Sequence, residues 1–307
     1  MSKIGIIDIG SNTFNLLVFC TKRKKKLYNT EVFVGIRKGT KKNIINKITI
    51  KKSISTLNDF KNICKKFNCT KIYGIATASL RNAINKKKFI EECKKKTNLL
   101  ISVISGEKEA NLIYEGVTSN IKRIKNFVII DIGGASTEFI IVKDKKPVFK
   151  KSYSFGSQSM VQKFKPSDPI NEKEIQIIKS YFKNNLTDLI NSLRKHSIQN
   201  ILGSSGSFNC ISNILNNNSK TKNYQKIDNS LYKKNVSEKI LKSTIIKREK
   251  IKGLSKMRSE NIIITIILIN FLFENKIKRI YTTKFSLKEG VLFNILKKNK
   301  KWQESLL

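Results

Sequence analysis

Histidine is almost absent from this sequence, since His196 is the only one among 307 residues. Catalytic triads of serine, histidine and aspartate, multi-histidine metal sites and histidine-aspartate phosphohydrolase centres all need histidine in specific company. His196 follows Arg194 and Lys195 where a helical pattern ends, which favours a solvated helix-end residue over a catalytic one. The sequence therefore argues against all three kinds of centre.

Cysteine is also scarce, and long apolar runs are missing. The cysteines are odd in number and contain no Cys-x-x-Cys pair, so neither a zinc knuckle nor a disulfide framework is indicated. The longest apolar run, residues 262–273, is shorter than the roughly 20 residues that a bilayer requires. No secretory signal is recognisable at the N-terminus. We expect a soluble cytoplasmic protein with no membrane partner.

Acidic residues are few, because 22 Asp and Glu stand against 62 Lys and Arg, for a formal net charge of +40. Only eight of the basic residues are arginine, and lysine is scattered through every segment. A solvated lysine-rich surface and an electrostatic field for a polyanionic ligand both remain open. Neither an arginine-rich helix nor a strand that interleaves aromatic and basic residues is visible, so no specific nucleic-acid partner is indicated.

The most informative feature that is present is an internal repeat. Residues 6–18 align with residues 129–141 at an offset of 123. Each copy is a β-branched run with Asp8 or Asp131 near its end, then a turn of small residues, then a second apolar run. Copies this far apart indicate a duplicated domain and not a solenoid. Because strands alternate with helices in both halves, the fold class is α/β.

The weakly patterned segment 121–126 lies before the second copy and is the natural domain boundary. It predicts a first domain over 1–122 and a second over 123–286, with a C-terminal helix, 287–307, able to rejoin the first. Apolar periodicity predicts one long amphipathic helix through residues 175–193. The polar segment 216–236 predicts an exposed loop with little structure.

The repeated turns have the composition of phosphate-binding loops. Asp8 precedes the turn of residues 10–13, and Asp131 precedes the turn of residues 133–137. Small residues let backbone N–H groups approach a phosphate, hydroxyls add donors, and an Asp at a strand end can hold a hydrated Mg²⁺. Two such hairpins from a duplicated domain can face one another across a cleft and hold a polyphosphate from both sides.

These turns resemble the two phosphate loops of the exopolyphosphatase and guanosine pentaphosphate phosphatase family, within the actin-like ATPase superfold. Four further stretches are similar to family segments in order and spacing. They are residues 77–85 (T-x-A-x-R-x-A-x-N), 104–110 (I-S-G-x-E-E-A), 203–207 (a glycine-serine turn) and 287–290 (L-R-E-G). The resemblance covers nearly the whole chain and is to the short form, which has no appended histidine-aspartate domain.

The resemblance implies two duplicated actin-like (ribonuclease-H-like) domains with a cleft between them, a hydrolase of phosphoanhydride bonds, and a homodimer. Glu109 aligns with the family's catalytic base, and Arg81 with an arginine that binds phosphate oxygens. Asp131 and Glu138 match acidic residues around Mg²⁺, for which Mn²⁺ is a possible substitute, and Asp8 faces them. The phosphate-binding residues would be Gly10, Ser11, Asn12, Thr13, Gly133, Gly134, Ser136, Thr137, Gly206 and Ser207.

The chain also departs from the family pattern. Ala135 stands where a third glycine is usual, and Lys108 replaces the first Glu of an acidic pair. The stretch 35–39 is a degraded form of a glycine-arginine segment, which puts the arginine of the first domain in doubt. Glu260 replaces an Asp and Thr265 a glycine, changes that touch helix packing more than chemistry.

Several functions remain open from the sequence. Release of terminal phosphate from inorganic polyphosphate is the first, and hydrolysis of guanosine pentaphosphate is the close alternative. A kinase of the same superfold and a non-catalytic polyphosphate-binding protein are more distant ones. Independently of the family, each of three residues also has a purely structural interpretation. Glu109 is consistent with a surface acid in a first helical turn. Arg81 is consistent with the partner of a surface carboxylate, and Glu138 with an exposed strand residue.

Overall fold

The computed structural model describes residues 2–121, 124–216 and 223–297. These residues divide into two compact units. The first contains the described parts of Met1–Gly116, Gly133–Ala135 and Leu287–Leu307, and the second contains those of Val117–Ile132 and Ser136–Ser286. The boundary expected between residues 122 and 123 lies outside the described residues.

The first unit is built on a mixed five-stranded sheet with the strand order β3-β2-β1-β6-β7. Strands β1 and β2 are the antiparallel arms of the first repeat, while β1, β6 and β7 run parallel. The elements up to residue 118 are β1 (Lys3–Ile9), β2 (Thr13–Cys20), β3 (Lys25–Phe33), β4 (Thr40–Lys41), β5 (Ile44–Ile45), α1 (Lys47–Lys66), β6 (Lys71–Ala76), α2 (Ala78–Arg81), α3 (Lys86–Thr97), β7 (Ile101–Val103) and α4 (Gly106–Thr118).

Helix α1 shows how the sequence sets both ends of an element. Asn46 caps its N-terminus by accepting a hydrogen bond from the Thr49 N–H. At the other end Asn68 takes a left-handed φ of 54°, and the Cys69 N–H donates to the Cys64 carbonyl across 2.9 Å. This is a Schellman ending, which stops the helix and turns the chain into β6. The apolar face of this helix is buried, as Leu57, Phe60 and Cys64 show.

The second unit is built on a mixed six-stranded sheet with the order β10-β9-β8-β11-β13-β12. Its helices pack around a core to which the apolar helix α12 contributes most of its residues. Its elements are β8 (Phe127–Ile132), β9 (Thr137–Lys143), β10 (Lys146–Tyr153), α5 (Ser157–Phe164), α6 (Glu172–Asn185), α7 (Thr187–Lys195), β11 (Asn200–Ser204), α8 (Ser205–Leu215), β12 (Tyr224–Ile227), α9 (Asn229–Leu231), a π-helix (Tyr232–Glu238), α10 (Lys239–Leu241), α11 (Ile245–Glu249), a short 3-10 turn (Lys256–Arg258), α12 (Ile262–Glu274) and β13 (Arg279–Thr283).

Two expectations for this unit are wrong. The long helix expected through residues 175–193 is two helices, α6 and α7, because the backbone at the fully buried Leu186 leaves helical geometry (φ −114°, ψ 20°). From residue 223 onward, the segment expected to be an open loop holds β12 and helical turns. Three of its apolar residues, Ile227, Tyr232 and Val236, are buried and fix it to the core.

The C-terminal helix α13 (Leu287–Leu296) belongs to the first unit. Gly290 packs directly against the backbone of α4, where an added Cβ would lie 1.8 Å from the Leu112 carbonyl oxygen. The Lys288 ammonium donates to the side-chain oxygen of Asn29 on β3 at 3.0 Å. Residues 298–307, the remainder of the helix expected over 287–307, lie outside the described residues.

None of the helices within residues 2–121, 124–216 and 223–297 combines the length and the apolar character that a membrane span needs.

Candidate active site

The candidate residues of the first unit lie where three parallel strands end. Because β1, β6 and β7 run parallel, their carboxyl ends share one edge of the sheet. The Thr77 N–H donates to the Ile9 carbonyl at 3.3 Å, and the Ile104 N–H donates to the Ala76 carbonyl at 3.0 Å. The segments that leave this edge are the turn of residues 10–13, helix α2 and helix α4. Arg81 on α2 and Glu109 on α4 therefore lie at this edge, as does Asp8 near the end of β1.

Arg81 and Glu109 form an ion pair at this edge. Arg81 Nη1 donates to Glu109 Oε2 at 2.9 Å and to the Ile104 carbonyl at 3.0 Å. The Glu109 side chain is only 9% exposed and that of Arg81 21% exposed. Glu109 is therefore not a surface acid, and the partner of Arg81 is not a surface carboxylate. A charge-assisted hydrogen bond of this length fixes the orientation of the carboxylate.

Glu109 is presented by the first turn of α4. Ser105 caps that helix, since its Oγ accepts from the Lys108 N–H at 3.1 Å. Lys108, the departure from the acidic pair, is partly buried in the same turn, and burial lowers the pKa of its ammonium group. The start of α4 thus places the buried Glu109 carboxylate and the partly buried Lys108 ammonium group at the same edge of the sheet.

The first phosphate loop is a tight turn backed by a second segment. The Gly10 N–H donates to the Thr13 carbonyl at 3.1 Å, and a Cβ at Gly10 would lie 2.8 Å from that oxygen, so the turn excludes a side chain there. The Ser11 carbonyl accepts from the Arg37 N–H at 2.8 Å. Arg37 therefore lies beside the loop, and burial lowers the pKa of its guanidinium. Sequence reasoning had placed the arginine of this degraded stretch in doubt.

Asp8 has a polar partner on the neighbouring strand that the sequence motifs do not indicate. Asn15 lies directly opposite Asp8 on β2, and its Nδ2 donates to Asp8 Oδ2 at 3.4 Å. Asn15 and Glu138 differ by the repeat offset of 123, as Asp8 and Asp131 do. The repeat itself was the signal that pairs these positions, and it points to Asn15 as the first unit's counterpart of Glu138.

In the second unit, four polar side chains form a row across four neighbouring strands. Asp131 on β8 lies opposite Glu138 on β9, and it also lies beside Ser204 on β11. Directly opposed residues point to the same face of a sheet. The Ser204 hydroxyl donates to Asp131 Oδ2 at 2.9 Å, and the Ser152 hydroxyl on β10 donates to Glu138 Oε1 at 2.7 Å. Glu138 is buried and is not an exposed strand residue.

The paired carboxylates are suited to a hard cation. Burial raises the pKa of Asp131 to about 6, while the hydrogen bond from Ser204 acts in the opposite direction. Mg²⁺ is usually held by one or two carboxylates and several waters, so two adjacent carboxylates with hydroxyl neighbours fit it. The described part of the chain contains no group of three or more His, Cys, Asp or Glu side chains placed to hold a metal ion. If Asp131 and Glu138 bind Mg²⁺, water or substrate would occupy most of the coordination positions of the ion.

The remaining predicted phosphate ligands differ in how they are used. Gly133 and Gly134 lie in the turn between β8 and β9, followed by the buried Ser136. The Thr137 hydroxyl donates to the Phe155 carbonyl at 2.8 Å, a contact within the core of the second unit. Gly206 lies in the first turn of α8, where a Cβ would meet the Arg258 guanidinium at 2.0 Å, and Ser207 beside it is buried. Arg258 is a cation at this turn that sequence reasoning treated only as a neighbour of Glu260.

The chain has an α/β fold of two mixed sheets, one in each unit. The expected fold class is confirmed. The Ppx/GppA phosphatase family matches over residues 11–299, and the chain belongs to that family. The resemblance seen in the sequence motifs is therefore confirmed.

Individual relatives agree with this assignment. The structure of an exopolyphosphatase from Cytophaga hutchinsonii superposes with a TM-score of 0.91 at 28% identity and covers 97% of this chain and 98% of that chain. A family member from Aquifex aeolicus gives a TM-score of 0.80 at 20% identity over 97% and 98% of the two chains, a likeness of fold alone. A Haemophilus influenzae protein provisionally named exopolyphosphatase is 29% identical over 219 residues, 70% of this chain and 68% of that protein.

Proposed function

We propose that this phosphatase-family protein is an exopolyphosphatase, a Mg²⁺-dependent hydrolase that releases terminal orthophosphate from inorganic polyphosphate. The observation that carries the proposal is the ion pair of the buried Glu109 and the partly buried Arg81 at the carboxyl edge of the first sheet. The Glu109 carboxylate lies at the edge of the sheet from which the turn of residues 10–13 also leaves. Held by Arg81, it is oriented for general-base catalysis.

In the proposed reaction Glu109 takes a proton from a water molecule as the water oxygen bonds to the terminal phosphorus. The bond between that phosphorus and the bridging oxygen breaks, and the shortened chain leaves as an anion. Glu109 then releases its proton to solvent. A positioned base contributes about 10²- to 10⁴-fold to such a step.

Arg81 serves both the base and the substrate in this proposal. A guanidinium carries five N–H donors in a rigid fork, which suits phosphate oxygens. Among the described residues, the hydrogen bonds of Arg81 to Glu109 and Ile104 both leave from Nη1. Donors of Nε and Nη2 are therefore available to a phosphoryl group. Backbone N–H groups of the turns at residues 10–13 and 133–136 would hold other phosphates.

Asp131 and Glu138 would hold Mg²⁺. The bound cation would supply positive charge that offsets the charge of the polyphosphate. The hydroxyls of Ser204 and Ser152 orient the two carboxylates of the second unit through the hydrogen bonds described above. Residues that orient ligands in this way usually affect metal affinity when replaced.

The proposal is tested by phosphate release with Mg²⁺ from long-chain polyphosphate, guanosine pentaphosphate and ATP in parallel. We expect polyphosphate to be preferred, and Glu109→Gln to reduce release by at least about 10²-fold. Glu107→Gln is the matched control, because Glu107 is an exposed acid in the same helical turn. It should leave the rate within about twofold of the unmodified protein.

Other results would assign other functions. Preference for guanosine pentaphosphate, with the same loss in Glu109→Gln, would make the alternative phosphohydrolase activity the correct one on the same residues. Formation of ADP from ATP with transfer to an acceptor would identify a kinase. Tight polyphosphate binding without release from any substrate would mean a binding protein, and an unchanged rate in Glu109→Gln would reject Glu109 as the base.

A further inference from the structure

Three isoleucines of the first unit point into solvent. Ile44 is 50% exposed, Ile84 72% and Ile48 79%. Single exposed apolar side chains are ordinary on a protein surface, but several together mark an interaction site. We call Ile44, Ile48 and Ile84 the isoleucine patch. None of them belongs to the phosphate loops or to the Arg81–Glu109 pair.

Hydrogen bonds bring the patch together from separate segments. The Ile84 N–H donates to the carbonyl of Asn43, the residue before Ile44, at 2.8 Å. The Asn85 side chain accepts from the Ile45 N–H at 3.0 Å and donates to the Ile45 carbonyl at 2.9 Å. Ile45 itself is buried, so its neighbour Ile44 faces outward on the same short strand. Ile44 and Ile84 are thus held side by side.

The scaffold under the patch is a tight hairpin followed directly by a helix. Lys42 and Asn43 turn between β4 and β5 with φ of 46° and 60°, the left-handed pair typical of a type I′ hairpin. Asn46 then caps α1, which places Ile48 in the first turn of that helix. The three isoleucines therefore sit on fixed backbone and not on a loose loop.

The two segments that carry the patch have charge of one sign. Residues 40–52 and 82–90 contain no Asp or Glu. Eight lysines in these two segments are exposed and are Lys41, Lys42, Lys47, Lys51, Lys52, Lys86, Lys87 and Lys88. The surface is therefore apolar at its tips and positive around them.

The exposed isoleucines and the lysines around them together indicate which kind of partner the patch binds. A second copy of the chain in a two-fold contact would set these lysines against themselves, which is repulsive. A purely anionic ligand would leave the isoleucines in water. An anionic bilayer satisfies both features, because its headgroups attract lysine while apolar tips enter the boundary of the acyl chains. We propose that the isoleucine patch docks this protein on an anionic lipid surface. The expectation of no membrane partner rested on the lack of a spanning segment, which such docking does not require.

Vesicle sedimentation with the full chain tests the proposal. Vesicles of phosphatidylcholine with about one part in three of phosphatidylglycerol should bind the protein, and phosphatidylcholine alone should not. The triple variant Ile44→Ser, Ile48→Ser, Ile84→Ser should bind the anionic vesicles about tenfold or more weakly. The matched control is Val148→Ser, Ile177→Ser, Ile246→Ser, three exposed apolar residues of the second unit. It has the same net charge and should change binding by less than about twofold.

Tryptophan fluorescence tests the same docking through a signal that appears when vesicles bind. The emission of Ile48→Trp should shift to the blue when anionic vesicles are added, beyond any change from the native Trp302, whereas Ile246→Trp should not shift. Phosphate release measured on each variant shows that it is folded. Equal binding by both triple variants would mean a diffuse attraction to the basic surface and would overturn the proposal. It would also be overturned by binding to neither vesicle, or by a dimer that only the patch variant loses.

Discussion

Arg81 Nη1 and Glu109 Oε2 lie 2.9 Å apart although the two residues are 28 positions apart in the sequence. The same nitrogen also donates to the Ile104 carbonyl, so the guanidinium is tied to both the strand end and the helix that carry the pair. The contact links α2 to α4 across the carboxyl edge of the sheet. Its electrostatics lead to the first prediction.

Replacing the cation should lower activity through both groups that it serves. Arg81→Met removes the donor that holds the Glu109 carboxylate and the fork that suits phosphate oxygens. We expect kcat/KM for polyphosphate to fall by about 10- to 10²-fold. Arg81→Lys keeps the charge but not the fork and should recover part of this loss. An unchanged kcat/KM in Arg81→Met would show that the pair serves neither the base nor the substrate.

Asp188 should make the stability of the second unit depend on pH. Burial by itself would raise the pKa of Asp188, but hydrogen bonds at 2.6 Å from Lys151 and from the Tyr153 hydroxyl outweigh it and lower the pKa. A carboxyl group with a lowered folded-state pKa stabilises above its unfolded-state pKa, and this contribution is lost as the pH falls through the folded-state value. Asp188→Asn should therefore cost up to about 1 kcal/mol at neutral pH, a modest value because the side chain is 42% exposed.

Urea unfolding at several pH values measures this difference. The gap between the original protein and Asp188→Asn should close as the pH falls below about 4. Asp59→Asn, an exposed position on α1, serves as the control and should give no such gap. A gap for Asp188→Asn that stays constant with pH would contradict the prediction.

The buried Arg248 should be among the costliest residues to replace in the second unit. Its Nη2 lies 3.1 Å from Asp168 Oδ1, and its Nε donates to the Ser259 carbonyl at 2.6 Å. Arg248→Met removes the donor of that carbonyl and one of the donors of the carboxylate, so the free energy of unfolding should fall by about 1–3 kcal/mol. Asp168→Asn should cost less, because Asp168 is 34% exposed and an amide oxygen can still accept from the Ile245 N–H. Denaturant unfolding compares the two, and equal small losses would contradict this account.

Gly290→Ala should destabilise the chain although alanine is the better helix former. Propensity alone would favour alanine in a helix by about 1 kcal/mol. A Cβ at this position would lie 1.8 Å from the Leu112 carbonyl oxygen, so α13 and α4 would have to separate. We expect a net loss of about 1–3 kcal/mol in urea unfolding. Leu296→Ala, at the partly exposed end of the same helix, should change stability by less than about 0.5 kcal/mol.

Elements whose signals are local were predictable from the sequence. The strands that contain Asp8 and Asp131, the Ser105 cap and the buried face of α1 each depend on residues within a turn or two of one another. The segment beyond residue 223 was misjudged because its composition is polar. Ile227, Tyr232 and Val236 hold it in the core. Three separate apolar residues hardly change the composition of a polar segment, so its composition does not reveal them.

Family resemblance located Arg81 and Glu109, but no pattern of residues indicated that they pair with each other. The row from Ser204 through Asp131 and Glu138 to Ser152 likewise depends on the strand order β11-β8-β9-β10. That order places residues 73 positions apart in hydrogen-bonding contact. The lysines and isoleucines around residues 44 and 84 were plain in the sequence, yet two bonds of Asn85 make them one surface.

The amino-acid sequence thus specified which groups are available: two Asp turns on a repeat, an acid at a helix start, an arginine and an excess of lysine. Strand pairing and burial settled which of these groups meet and which face water. The reason is physical, since turns, caps and periodicity are short-range properties of the chain. The ion pair, the polar row and the exposed patch arise from contacts between distant segments, and these exist only once the sheets have formed.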